Sequence, residues 1–564
     1  MRILAVLTVL SISTAALAAP REKAFEYWPP RNGAKPVPYE KKAPAFEATG
    51  KPWKFEAGPK VKLKVDTSKT LKPITPYHFG NNASWWSHTS WFMSEDILEK
   101  ARQSGIRFWR WPGGSSSDSY HWDGKYDGHK KESSGGDATR MTEPWAVSTD
   151  DFIEFCRRTG SEAIFTANYG AARYFNVNYA ADMASRWVKY VNHEKKFKVR
   201  HWEVGNENYG NWEEGTKMPG KALLSGDVYG KDFRVIADAM KKADPDIYIG
   251  AVAVDQDNGE EWTGFFWWMK GLLPELKGKA DYLILHQYFM WPFQGDVFTN
   301  PGPKVLFGNL PKLAEAHEAD VKMVAKYAPS EKGIPIALTE FNIFNSSGTA
   351  TIELINGLYT TEVIGEGIRA GYVASNYWDW RNGLDGKMKG DMGMLSTGDP
   401  AIPDGTPRPS YYAYALATRA FGDKLVAVDC SEPGMRVYAS TFSSGEVGLV
   451  VVNENPAART LALDVPGSKP GRAMGWVLTG KGLNDKRVSW NGEWGPAGGG
   501  GPFPLNCISP YQTAFVAGKP VELNVPAFSA TGVILYGPAV KPVPTPDPEK
   551  GKRGEKADEI PDPD

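Results

Sequence analysis

The sequence predicts an α/β fold, a (β/α)8 TIM barrel carrying a C-terminal β-sandwich domain, and three observations carry that expectation. Eight short apolar runs alternate with longer amphipathic stretches between about residues 75 and 420, the arithmetic of repeated βα units closed around a parallel sheet. After about residue 420 the texture changes to short alternating segments broken by Gly, Pro and Asn, as in a sandwich of antiparallel strands. No GxGxxG or Walker-type loop follows the first strand, which disfavours an open doubly wound sheet.

Along the chain, residues 1–18 combine Met1-Arg2, an apolar run from Ile3 to Leu10 and the small residues Ala15, Ala16 and Ala18. This is the pattern of a secretory signal peptide, too short to cross a bilayer, and it implies a secreted or periplasmic protein with no membrane insertion. Residues 19–58 mix Pro, Lys and Gly without periodicity and read as a Pro-rich disordered arm, as do residues 541–564. Segment 59–74, with KVKLKVDTS, alternates like a strand and is expected to join the sandwich. In the barrel, 75–420, the strand candidates are YHFGNN, IRFWRW, AIFTAN, VRHWEVG, IYIGAVA, DYLILHQY, PIALTEFN and VASNYWDW. Helical periodicity fills the gaps, as in YAADMASRWVKYVNHEK and GKDFRVIADAMKKADPD. The sandwich, 421–540, takes MRVYASTF, VGLVVVNE, RTLALDV, PVELNVP and TGVILYG.

Composition narrows function. With 65 Lys plus Arg against 66 Asp plus Glu, the net charge of -1 supplies no field for nucleic acid or an anionic membrane. Aromatic residues are abundant, with 21 Trp, 24 Tyr and 25 Phe, which suits either a large core or flat platforms for sugar rings. About ten of the Trp, including Trp85, Trp86, Trp91, Trp109, Trp111, Trp122, Trp212, Trp291, Trp378 and Trp380, fall at or beside strand ends, where barrels bind ligands. Three cysteines are too few for a disulfide scaffold; Cys430 and Cys507 could bridge in an oxidising compartment, and Cys156 reads as a buried small hydrophobe.

Chemistry in such a barrel sits at the C-terminal ends of the strands. Two apolar runs close on a Glu: Trp202-Glu203-Val204-Gly205-Asn206-Glu207-Asn208 on the fourth strand, and Leu338-Thr339-Glu340-Phe341-Asn342 on the seventh. Two carboxylates facing across a cleft are what glycosidic cleavage needs, one to protonate the leaving oxygen and one to attack the anomeric carbon. The eight His show no HxxxH or HxH spacing, and Ser115-Ser116-Ser117 is not a GxSxG elbow, so neither a metallohydrolase nor a serine hydrolase is supported.

WEVGNEN resembles the acid/base motif of the retaining glycoside hydrolases of the (β/α)8-barrel clan A, and ALTEFN is similar to their nucleophile strand. FWRWPGGSSSDSYHWDG, at 108–124, is similar to the segment after strand two in alpha-L-arabinofuranosidases and related endoglucanases and agarases. The resemblance spans about residues 60 to 540 through the ordered set PGG, GNEN, HQY, TEFN and YWDW. It implies Glu207 as general acid/base and Glu340 as nucleophile, with no metal and no organic cofactor. It also implies a substrate-binding set. Asn206 would contact the hydroxyl beside the anomeric centre, Tyr288 and Arg110 would support the nucleophile, and Trp378 would lie under the sugar. His121, Trp122 and His286 would hydrogen-bond in the cleft.

Glu203, inside the strand, reads instead as a buried partner of a basic residue. Glu207 is expected to have its pKa raised by burial and by the opposite carboxylate, and the pair to stand about 5 to 5.5 Å apart. TEFN lacks the Trp expected of arabinofuranosidases, and strand eight ends in YWDW, more like endoglucanases. The expected function is therefore retaining hydrolysis of a neutral or weakly charged polysaccharide, endo-acting if the Trp residues form a row of subsites. An exo-acting alpha-L-arabinofuranosidase and a non-catalytic glycan-binding protein are the alternatives, and the oligomeric state is open.

Overall fold

The computed structural model describes residues 38–125, 132–133, 136–218, 220–256, 267–288, 302–343, 348–383 and 390–538. The signal segment, the C-terminal tail and Trp291 lie outside them. Eight parallel strands close a barrel in sequence order: β1 (Gly80–Asn82), β2 (Phe108–Trp111), β3 (Glu162–Ala167), β4 (His201–Val204), β5 (Tyr248–Val252), β6 (Tyr282–Gln287), β7 (Ile336–Phe341) and β8 (Ser375–Tyr377). Each falls on one of the eight apolar runs, β3 starting one residue earlier at Glu162.

The strands are buried on both faces, as a parallel barrel wrapped by helices requires. β2, β3, β4 and β7 are buried throughout. Ser94 and Ser148 start the helices Glu95–Ser104 and Thr149–Thr159; the Ser148 side chain caps the helix while Asp151 reaches back to it. Two irregularities matter for the site. The β6–β7 register shifts between Leu285 and His286, so that His286 pairs with Glu340, and the β7–β8 register shifts between Leu338 and Phe341. Both fall at the C-terminal mouth, where bulges re-aim side chains.

The sandwich is a single 12-stranded sheet curled onto itself. Strand Lys60–Pro73 lies inside it, antiparallel to Lys424–Asp429 and parallel to Arg459–Asp464. Its Val61, Leu63 and Val65 enter the sandwich core while Lys60, Lys62 and Lys64 face water. Strand Val447–Asn453 is buried on both sides: Leu449 and Val451 face the sandwich core, and Val450 and Val452 pack with the barrel. Helix Pro409–Ala420 lies against this face, and Gly448 permits the approach, since a Cβ there would stand 2.0 Å from the Ala420 carbonyl oxygen.

Three expectations change. Residues 38–58 are not part of a disordered arm: Lys41 Nζ donates to the carbonyls of Thr418 (2.7 Å) and Phe421 (2.5 Å), Tyr536 donates to the Pro44 carbonyl (2.8 Å), and Lys51–Pro52 pairs with Tyr511–Ala514. Main-chain partners supply what side-chain periodicity did not announce. Cys430 and Cys507 are both free thiols, and Cys156 is buried. Much of the tryptophan content of the described residues is core: Trp109, Trp111 and Trp380 are fully buried with Trp187, Trp202, Trp268 and Trp490.

Candidate active site

Arg110, at the end of β2, is the hub beneath the barrel mouth. Its Nε donates to Glu203 Oε2 (2.5 Å), Nη1 to Glu340 Oε1 (2.8 Å) and Asn82 Oδ1 (3.0 Å), and Nη2 to Asn206 Oδ1 (2.8 Å). Arg110 and Glu203 have no solvent exposure, so each charge depends on the other. Glu203 is thus the buried ion-pair partner, and Arg110 supports the site from below without lining the cavity.

Glu340, closing β7, receives a second donor on its other oxygen from Tyr288 Oη at 2.8 Å. Burial first, and the charge of Glu340 next, push the Tyr288 phenol far above its usual range, so Tyr288 remains a donor. Two donors on one carboxylate stabilise its negative charge.

Glu207 lies just past β4 with φ of 40°, a conformation unusual outside Gly and costly enough to be held only by its surroundings. His286 Nδ1 lies 3.0 Å from its Oε1, and Trp212 Nε1 donates to its Oε2 at 3.0 Å. Burial pushes Glu207 upward and is the largest single influence. The hydrogen bond and charge of His286, with hydrogen bonds from Trp212 and Tyr209, together outweigh it and leave Glu207 below the usual carboxylate range. The expected upward shift is therefore corrected, because burial is answered by donors on both oxygens.

His286 Nδ1 also lies 3.6 Å from Glu340 Oε2, and donor atoms of Glu207, His286 and Glu340 all fall within 4.8 Å of one another. One oxygen of Glu207 and one of Glu340 thus approach within 4.8 Å, on the side of the roughly 5 to 5.5 Å of retaining pairs and not of the roughly 6.5 to 9.5 Å that leaves room for a water between them. The same trio could ligate a metal ion, but the Arg110 guanidinium on Glu340 opposes a second cation there.

A cavity of about 390 Å³ opens over these groups, within the range of small-molecule sites. Asn206, Glu207, His286, Tyr288, Glu340 and Trp378 all line it. Gly114, at φ of 47°, lies against the Trp378 ring, where a Cβ would stand 2.6 Å from Cη2. His121 and Trp122 are not brought to this cavity. His121 bonds the Lys125 carbonyl (3.0 Å), and Trp122 donates to the Met183 carbonyl (3.1 Å) and lies parallel to Trp187. After Pro112-Gly113-Gly114 the chain makes the turn Ser115–Ser119 and leaves the mouth to pack over helix Val177–Lys189.

Sequence reasoning missed Tyr209 and Glu213 in the loop after β4, and Asp255 and Gln256 beyond β5. The last two follow the run AVAV directly and were within reach of the rule that polar residues closing a barrel strand face the ligand. Burial pushes Asp255 upward, against a hydrogen bond from Gln287, which also lines the cavity. Beneath the site, Asp118 accepts from the backbone N–H groups of Asn206 (3.2 Å) and Tyr169 (3.2 Å) and from Asn208 Nδ2 (2.8 Å). Burial dominates these bonds and pushes Asp118 up to about 8.

No family model matches the chain. Among curated relatives, it is 28% identical over 278 residues to a probable alpha-L-arabinofuranosidase C of Aspergillus terreus, covering 44% of this chain and 50% of that protein. It is 25% identical over 268 residues to an intracellular exo-alpha-(1->5)-L-arabinofuranosidase of Streptomyces lividans, covering 46% of this chain and 38% of that one. The chain thus spans half or less of the length of these relatives. Among solved structures, an alpha-L-arabinofuranosidase from Thermotoga maritima superposes with a TM-score of 0.64 at 19% identity, covering 84% of this chain and 99% of that one. A xyloglucanase of glycoside hydrolase family 44 from Paenibacillus polymyxa gives 0.58 at 16%, covering 85% and 100%. The resemblance read from the motifs is matched by these relatives, and the barrel with its sandwich is the fold shared with the solved structures.

Proposed function

We propose that the protein is a retaining glycoside hydrolase that releases terminal alpha-L-arabinofuranosyl groups. The observation that carries the hydrolase reading is the approach of Glu207 and Glu340 within 4.8 Å, each held by its own donors. In the first step Glu340 attacks the anomeric carbon and the bond to the leaving oxygen breaks, while that oxygen takes the proton of Glu207. In the second, Glu207 takes a proton from water as its oxygen attacks the glycosyl ester, and Glu340 leaves as carboxylate. Glu207 reaches its acid form as the bound sugar displaces water and strengthens the burial that already pushes it upward.

The arabinofuranosyl reading draws on the names of the curated relatives. It moves ahead of the endo reading because only Trp212 and Trp378, of the tryptophans placed at strand ends, line the cavity among the described residues. A row of Trp subsites was the main argument for endo action. The endo reading keeps the support of the TEFN and YWDW motifs and of the structural likeness to a xyloglucanase. The loops after β2 and β6 that would close or open the cavity fall partly outside the described residues.

The test is a panel of aryl glycosides and arabinose- or glucose-based polysaccharides with product sizing. Release of arabinose alone, with retained anomeric configuration, supports the proposal; early release of oligosaccharides overturns the exo assignment. Glu340→Gln should abolish turnover with folding intact, and full activity in that variant would overturn the mechanism.

A further inference from the structure

Glu213 follows Trp212 in the loop after β4, and its side chain is buried at 4% exposure beside the cavity. Its Oε1 accepts from Ser115 Oγ at 2.8 Å and from Asn206 Nδ2 at 3.0 Å, while Oε2 is buried with no hydrogen-bond partner among the described residues. Asn206 is held at three points: its side-chain Oδ1 by Arg110, its backbone N–H by Asp118, and one Nδ2 proton by Glu213. Asn206 itself lines the cavity.

We infer that Glu213 is a positioning residue whose carboxyl fixes the Asn206 amide, so that one Nδ2 proton stays directed at the sugar hydroxyl beside the reacting carbon. The inference rests on the glycosidase reading, since Asn206 serves there as the hydroxyl contact that tightens in the transition state. Glu213 does this as a neutral acid. Its two bonding partners are uncharged, and a buried carboxylate oxygen without a donor is costly. Burial, followed by the neighbouring charges of Asp118 and Glu207, pushes it in the same direction, far above the carboxylate range.

The variants Glu213→Gln, Glu213→Leu and Glu213→Asp separate the possibilities, assayed on an aryl glycoside that the wild type cleaves. Gln reproduces the neutral acid, and should keep kcat within about threefold and leave the pH profile in place. Leu removes the acceptor, and should lower kcat by about 10- to 100-fold with KM little changed, the mark of a contact made in the transition state. Asp draws the acid back by one methylene and should fall with Leu; it also serves if the Leu variant does not fold. The inference is overturned if Leu and Asp match the wild type, or if Gln is as impaired as Leu. Should the wild type cleave nothing on the panel, the glycosidase reading falls by itself. Crystal structures of the Gln and Asp variants then decide the positioning role: an Asn206 amide that is turned in Asp but kept in Gln supports it, and an unmoved amide in Asp overturns it.

Discussion

Replacing Arg110 by Met would keep most of the side-chain stem and delete only the guanidinium. In the folded chain this leaves the Glu203 and Glu340 carboxylates without their cation and the side-chain oxygens of Asn82 and Asn206 without a donor. Removing one partner of a buried ion pair costs about 3 to 5 kcal/mol. Two donors remain, Thr166 Oγ1 on Glu203 (3.1 Å) and Tyr288 on Glu340 (2.8 Å), so the lower end, about 3 kcal/mol, is expected. Urea denaturation followed by tryptophan fluorescence measures it, because Trp109, Trp111 and Trp202 are buried in the barrel. Arg110→Met combined with Glu203→Gln should recover part of the loss by removing one stranded charge. A single variant within about 1 kcal/mol of the wild type would refute the argument, because an uncompensated buried carboxylate cannot be that cheap.

Further outcomes are expected elsewhere. Glu207→Ala should lower kcat by about 100- to 10,000-fold, and azide should restore turnover of an activated aryl glycoside as a glycosyl azide of retained configuration; an inverted azide product would refute double displacement. Trp212→Phe deletes one donor to the ionised form of Glu207, so Glu207 should rise and the alkaline limb of kcat/KM should move to higher pH; movement to lower pH would contradict the assigned hydrogen bond. Gly448→Val forces a Cβ against the Ala420 carbonyl and should cost about 1 to 3 kcal/mol as an overpacked interface, read as a lower Tm by calorimetry. An unchanged Tm would mean that the helix and the sandwich do not pack as described.

The carboxylate pair was legible because a barrel places strand ends at one mouth whatever the loops do. Glu340 and Asn206-Glu207 therefore met as the chain order implied, and Glu203 fell inside the strand where Arg110 could reach it. His121 and Trp122 misled because they follow a Gly-rich turn, whose exit direction depends on what the next helix offers to pack against. Tryptophan count misled for a related reason: a strand-end Trp faces either the mouth or the helices, and Trp111 and Trp380 face inward to the core.

From the sequence alone came the barrel, the sandwich and the two carboxyls that face each other at the barrel mouth, because apolar periodicity and strand-end position are local properties written every few residues. Tertiary structure alone decided the donors that draw Glu207 downward against its burial, the four-way role of Arg110 and the hold of Glu213 on Asn206. Each of these depends on groups far apart in the chain, as with the separation of 79 positions between Glu207 and His286 or of 230 between Arg110 and Glu340. Electrostatic balance in a buried site is a sum over such neighbours, and no local pattern encodes it.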